Sequence, residues 1–163
     1  MTTSTLRPER AAAVARQLRA SMRGTVLTGA DARYDAARRI WNGAVGHRPA
    51  LIARCADGQD VMTAVRAARE HGLPLSVRGR GHDWAGRALR HDGLVLDLSA
   101  MRGVTVDPAT RTAVAAGGAT VGDVVAAAAS CARPCAAPWW PPPTRPTTPR
   151  GRSGTARSGT ARP

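Results

Sequence analysis

The run ALIARCADGQDVMTAVRAAREHGLPLSVRGRGH, residues 50–82, decides how this chain folds. It opens on a compact apolar stretch, ALIARC (50–55), which reads as a strand. DGQDVMTAVRAAREHG follows. Its Val61, Met62, Val65 and Ala68 recur at helical spacing and predict a helix with that face inward. Asp57 or Asp60 suits the N-cap, and His71 and Gly72 suit the end. LPLSV (73–77) is a second strand. Strand, helix and strand within about 30 residues make a βαβ unit, expected to be parallel and right-handed. The expected fold class is α/β, shading into α+β once the flanks are added.

Upstream, residues 8–22 read as a helix, with Pro8 in its first turn, Val14, Leu18 and Met22 every four residues, and Gly24 as its stop. DARYDAARRIWNG (31–43) reads as a short helix or an ordered loop anchored by Tyr34, Ile40 and Trp41. Downstream, GLVLDLS (93–99) reads as an alternating strand. GVTVDPATRTAVAAGG (103–118) predicts two short strands around an Asp107-Pro108 turn. TVGDVVAAAAS (120–130) predicts a helix with Thr120 as N-cap and Asp123 in its first turn.

From residue 131 the pattern changes. Eight of the 12 prolines lie in 131–163, and Ser-Gly-Thr-Ala-Arg occurs there twice in tandem. Such a segment cannot bury enough apolar surface to offset its ordering entropy, so disorder is expected. The organisation read here is therefore an N-terminal helix (1–24), a partial globular domain (25–130) and a Pro/Arg-rich tail (131–163).

The chain carries 24 basic residues, all Arg, against 11 acids, a net charge of +13. Six arginines and no acid fall in the tail, so global charge says little about what the folded part binds. The basic excess alone raises a nucleic-acid reading, with Trp139 and Trp140 as base-stacking groups in the tail. No nucleic-acid module accompanies it, and no specific nucleic-acid partner is expected. Three cysteines at irregular spacing (Cys55, Cys131, Cys135) do not make a disulfide framework. No apolar run approaches the roughly 18 residues of a membrane span, and the first residues lack a signal-peptide pattern. A cytoplasmic chain with no membrane partner is expected.

The loop after the second strand, SVRGRGHDWAGRAL (76–89), carries the chemistry. It is no Rossmann fingerprint: Trp84 stands at the third glycine position and no helical period follows. Glycines nevertheless let backbone N–H groups crowd an anion, Arg78 and Arg80 add charge, and strand C-terminal ends are the usual ligand side of α/β sheets. A glycine-rich turn with solvated arginines accounts for the same residues. His82 reads three ways: a turn histidine, a metal ligand without partners, or a nucleophile towards a cofactor held by the loop. No metal site is expected.

Several motifs occur in order: W-N (41–42), R-P-A-L-I (48–52), R-G-x-G-H (78–82), D-G-L-V-L-D-L-S (92–99) and G-G-A-T-x-G-D (117–123). Over roughly residues 31–130 the chain resembles the flavin-binding region of the FAD-linked oxidases, the p-cresol methylhydroxylase or vanillyl-alcohol oxidase superfamily, and most of all its berberine-bridge-enzyme-like branch. The resemblance implies a PCMH-type FAD-binding domain: its first βαβ subdomain and the start of the second. It implies a flavin-dependent oxidoreductase with FAD as cofactor and a small-molecule substrate. It places Arg78, Gly79, Arg80, Gly81, His82 and Asp83 around the FAD pyrophosphate, with His82 as the candidate 8α-histidyl attachment point. Gly117, Gly118, Ala119 and Thr120, in AGGAT (116–120), are expected to border the flavin. No catalytic residue is assigned.

Two departures stand out. Arg80 replaces the first glycine of a usual Gly-Gly pair: either the residue is costly there, or its guanidinium reaches a phosphate. After the Ala-rich helix, the family's second FAD segment and substrate domain are replaced by the Pro/Arg tail. The expectation is a truncated chain whose tail comes from a shifted reading frame in a GC-rich gene, with no turnover on its own. The alternatives are a basic nucleic-acid-binding protein acting through its tail, or a non-functional product.

Overall fold

The structure, a computed structural model, describes residues 8–132. The disorder and frameshift expected of the tail lie, from residue 133 onward, outside the described residues, as do Cys135, Trp139 and Trp140.

Four strands form one sheet: β1 (Thr25–Leu27), β2 (Leu51–Arg54), β3 (Leu75–Arg78) and β4 (Leu94–Asp97), in the order β1-β2-β4-β3. β4 lies between β2 and β3 and is parallel to both, while β1 closes the β2 edge antiparallel. The predicted βαβ unit is present and parallel, but its two strands are not neighbours. β4 was expected to alternate. All four of its residues are buried, because a central strand of a parallel sheet is covered on both faces.

The two faces carry separate cores. Leu51, Ala53, Leu94 and Leu96 pack beneath α1 (Pro8–Ser21) and α3 (Gly58–Glu70), against Val14, Leu18, Ala64 and Ala68. Ile52 and Val95 point the other way, towards Leu27, Leu89 and Tyr34 of the short helix α2 (Tyr34–Ala37). The Tyr34 hydroxyl donates to the buried Pro49 carbonyl at 2.5 Å. Trp41, expected as an anchor beside it, is instead 69% exposed.

α3 is turned relative to its predicted face. Met62 is exposed and Asp60 is buried at 2%. The cause is polar: the Asp60 carboxylate accepts the backbone N–H groups of Arg23, Gly24 and Ala56, each at 2.9 Å. Burial raises its pKa, but these donors outweigh that and hold the carboxyl below its usual range. Asp57 is the N-cap, its side chain accepting from the Asp60 N–H at 3.0 Å.

β5 (Val104–Asp107) and β6 (Thr112–Ala115) pair antiparallel as a second, two-stranded sheet. The Asp107 side chain stitches the turn through the N–H groups of Ala109 and Thr110. α4 (Val121–Ala132) follows, running two residues past the boundary read from the sequence. Its start is a reciprocal cap: Thr120 Oγ1 accepts from the Asp123 N–H, and Asp123 accepts from the Thr120 N–H. Among the described residues no helix is long and apolar enough to cross a membrane.

Candidate functional site

The three parallel strands end level with one another. Arg54 closes β2, Asp97 closes β4 and Arg78 closes β3, with Asp97 in register with both arginines. Asp97 is fully buried and accepts from the Ser99 N–H at 2.9 Å and from Arg54 Nε at 3.3 Å. Arg78 donates through Nη1 to the Ala37 carbonyl, while its buried Nε has no hydrogen-bond partner among the described residues. Arg80 donates to the Ser99 carbonyl at 3.4 Å. Arg54, Arg78, Arg80, Ser99 and Ala100 line an open cavity of about 430 Å³. Three arginines line it, and the nearby carboxylate is already engaged, so the cavity favours an anion.

The glycines bring backbone close to this cavity. A Cβ on Gly79 would come within 2.6 Å of the Gly117 carbonyl oxygen, so the loop after β3 and the AGGAT segment touch through bare backbone. A Cβ on Gly118 would lie 1.9 Å from the Leu98 carbonyl, and its N–H donates to Met101. Gly81 takes φ +76°, a conformation that favours glycine. Arg80 is not among the positive-φ residues, which outside glycine are Asp92 and Arg111. The replacement of glycine by Arg80 therefore carries no left-handed strain, and its guanidinium joins the cavity.

The residues named from the sequence thus fall into three groups. Arg78, Gly79, Arg80 and Gly117 gather at the strand ends, with Gly118 packed behind them. Asp83 turns inward on its own loop, its carboxylate accepting from the Ala85 and Ala88 N–H groups at 3.2 and 2.9 Å. Thr120 spends its hydroxyl on the α4 cap, and the Ala119 N–H is held by the Ala116 carbonyl. Gly81 and His82 lie against the 40–42 segment instead: the Trp41 N–H donates to the Gly81 carbonyl at 3.0 Å. The indole stacks on the exposed His82 ring, with centroids 6.0 Å apart and planes 17° apart.

Sequence reasoning missed Arg54, Asp97 and Ser99. The available signal was the polar end of two apolar runs, ALIAR and LVLD. Beside Arg54, Cys55 is buried, and burial first, then the charges of Asp60, Asp97 and Asp57, push its thiol up to about 12. It is a core residue rather than a thiolate nucleophile.

Comparison with known proteins identifies the family. Residues 49–133 match the family described as "FAD binding domain". (R)-6-hydroxynicotine oxidase of Paenarthrobacter nicotinovorans is 42% identical over 109 residues, covering 67% of this chain and 24% of that protein. Berberine bridge enzyme-like 2 of Arabidopsis thaliana is 37% identical over 79 residues, covering 47% of this chain and 15% of that protein. The crystal structure of 6-hydroxy-D-nicotine oxidase from Arthrobacter nicotinovorans superposes with a TM-score of 0.64 at 42% identity, over 68% of this chain and 24% of that one. The chain therefore spans a quarter or less of the length of these relatives. The matched region takes in the parallel strands β2–β4, the glycine loop and the AGGAT segment, and through it the chain belongs to the FAD-binding domain family of FAD-linked oxidoreductases.

Proposed function

We propose that the strand-end cavity holds the pyrophosphate of FAD and that this chain serves as the cofactor-binding part of a flavin-dependent oxidoreductase acting on a small molecule. The observation that carries the reading is the gathering of Arg54, Arg78 and Arg80 around one open cavity at the strand ends. Arginines that share one cavity while the adjacent Asp97 carboxylate is already engaged favour an anion there, and guanidinium groups bond phosphate oxygens through charge-assisted hydrogen bonds. The bare backbone at Gly79 and Gly117 lets the cofactor lie close to the chain. FAD, once bound, supplies a two-electron acceptor for substrate oxidation.

His82 is the attachment point in this reading. Its imidazole would offer a ring nitrogen for a covalent bond to the bound flavin, which would itself supply the electron acceptor that forming the bond requires. The exposed ring, next in sequence to Gly81, is free for such a bond.

Titration of the purified chain with FAD, followed by flavin fluorescence, tests the cavity. Arg80→Ala changes an exposed side chain and is expected to weaken binding about tenfold, the loss of one charge-assisted hydrogen bond. Added salt should weaken wild type more than the variant. An unchanged affinity in Arg80→Ala and in Arg54→Ala would overturn the pyrophosphate assignment. Flavin that stays with wild-type protein through acid precipitation, and not with His82→Ala, tests the attachment.

A further inference from the structure

Trp41 is a large aromatic residue left 69% exposed. Burial does not account for its position, yet its surroundings are closely organised. Residues 40–42 run alongside residues 81–84, some forty positions later in the chain. Ile40 sits so close to Gly81 that a Cβ there would come within 3.1 Å of Ile40 Cγ2. The Trp41 N–H donates to the Gly81 carbonyl at 3.0 Å. Asn42 Nδ2 donates to the Trp84 carbonyl at 2.7 Å. His82 lies between the two tethered residues, and one face of its ring rests on the indole at 6.0 Å and 17°.

We propose that Trp41 is a positioning residue for His82: the clip of residues 40–42 fixes the backbone on both sides of the histidine, and the indole face sets the plane of the imidazole. A stacked ring keeps its edge open, and both imidazole nitrogens lie on that edge. Asp83, the adjacent carboxylate, is engaged by the Ala85 and Ala88 N–H groups and so does not draw the ring aside. The consequence for flavin attachment rests on the reading of His82 given above. Orientation of the ring itself does not. A nucleophile held in plane reacts faster than one that samples several rotamers.

The test uses the full chain with Trp41→Ala and Trp41→Phe. Because the indole is exposed, both variants are expected to fold. In the FAD-free protein, the His82 ring protons should show an upfield ring-current shift that Trp41→Ala abolishes and Trp41→Phe partly keeps. With saturating FAD, the initial rate of acid-stable flavin incorporation should fall about tenfold in Trp41→Ala and recover in Trp41→Phe. Because FAD is saturating, a change in reversible affinity does not enter this rate. His82 resonances that do not move in Trp41→Ala overturn the proposal. Equal incorporation rates in wild type and Trp41→Ala do so as well. If wild type takes up no acid-stable flavin, the attachment reading fails, and the ring-proton shifts alone decide whether Trp41 positions His82.

Discussion

The β1–β4 sheet with α1 and α3, and the β5–β6 hairpin with α4, are built from similar residues but satisfy themselves to very different degrees. In the first, Leu51, Ile52, Leu94 and Val95 are fully buried, and Asp60 and Asp97 have their carboxylates occupied. In the second, all four residues of β6 are exposed, and Val114 and Val121 show 73% and 82% of their surface. The difference follows from where the helices go. α1 and α3 cover one face of the larger sheet, and α2 with the residues around Leu89 covers the other. Among the described residues the hairpin packs chiefly on α4. Polar contacts rather than apolar ones define its ends: the Asp107 turn and the Thr120–Asp123 cap. The cavity with three arginines belongs to the closed region, and the AGGAT segment, whose Gly117 meets Gly79, connects it to the open one. A rigid sheet edge thus presents the charges, while the neighbouring unit keeps apolar surface available.

The sharpest way to break this comparison is to cut equivalent apolar groups from each side. Leu94→Ala removes a fully buried side chain from the central strand. It is expected to cost about 3 kcal/mol through lost transfer energy and the cavity left behind. Val114→Ala should change stability by no more than about 0.5 kcal/mol, the usual effect of an exposed site. Urea midpoints at neutral pH measure both. Comparable losses would show that the hairpin is packed as tightly as the sheet, and the contrast would be wrong.

Asp60→Asn comes next. Asparagine keeps one acceptor oxygen but sets an NH2 group against backbone donors at Arg23, Gly24 or Ala56. A cost of about 2 kcal/mol is expected, from leaving buried N–H groups unpaired. The sign with pH follows from the lowered carboxyl. Its folded pKa lies below the unfolded value, so its contribution is complete above the ordinary carboxylate pKa of 3.8. It is lost as pH falls through the lower, folded value. Wild type and Asp60→Asn should differ fully at pH 6 and converge in acid. A difference that persists unchanged to the acid limb would place the stabilisation in packing rather than in the ionised carboxylate.

Asp60 also shows where the sequence stopped being readable. The spacing of Val61, Val65 and Ala68 marked α3 correctly, because helical period is a local property. The rotation of its buried face was not local: two of the three donors that draw Asp60 inward come from Arg23 and Gly24, up to 37 residues away. The candidate site divides the same way. Arg78, Gly79 and Arg80 were legible because glycine and charge cluster within a few residues. Arg54 was not, because it acquires a role only when β2 and β4 align it with Asp97, 43 residues further on. β1 was missed since three residues carry too little alternation to register. Trp41 was read as a core anchor because a tryptophan beside Ile40 and Tyr34 looks like one. The exposed stack on His82 has no signature in the local pattern.

The smallest expected effect is the most discriminating for the open region. Asp123 receives Arg102 through both carboxylate oxygens, at 3.1 and 2.5 Å, and the Thr120 N–H and hydroxyl at 2.7 Å each. The Arg102 guanidinium first, and then the Thr120 donors, hold its carboxyl well below the usual range. Asp123→Asn retains a side-chain oxygen for the cap but loses the charge that pairs with Arg102. Amide exchange in the first turn of α4, residues 121–124, should accelerate, while the global urea midpoint stays at the wild-type value. Because the folded pKa is depressed, the cap is intact above the ordinary carboxylate value and weakens as pH falls through the lowered one, so exchange in wild type should approach that of the variant only in strong acid. A local effect of this kind requires that α4 open without the sheet, as its exposed neighbours imply. If Asp123→Asn instead lowers the global midpoint as far as Asp60→Asn does, then the hairpin and α4 unfold with the sheet as one cooperative unit, and the exposed apolar surface is not a mark of independence.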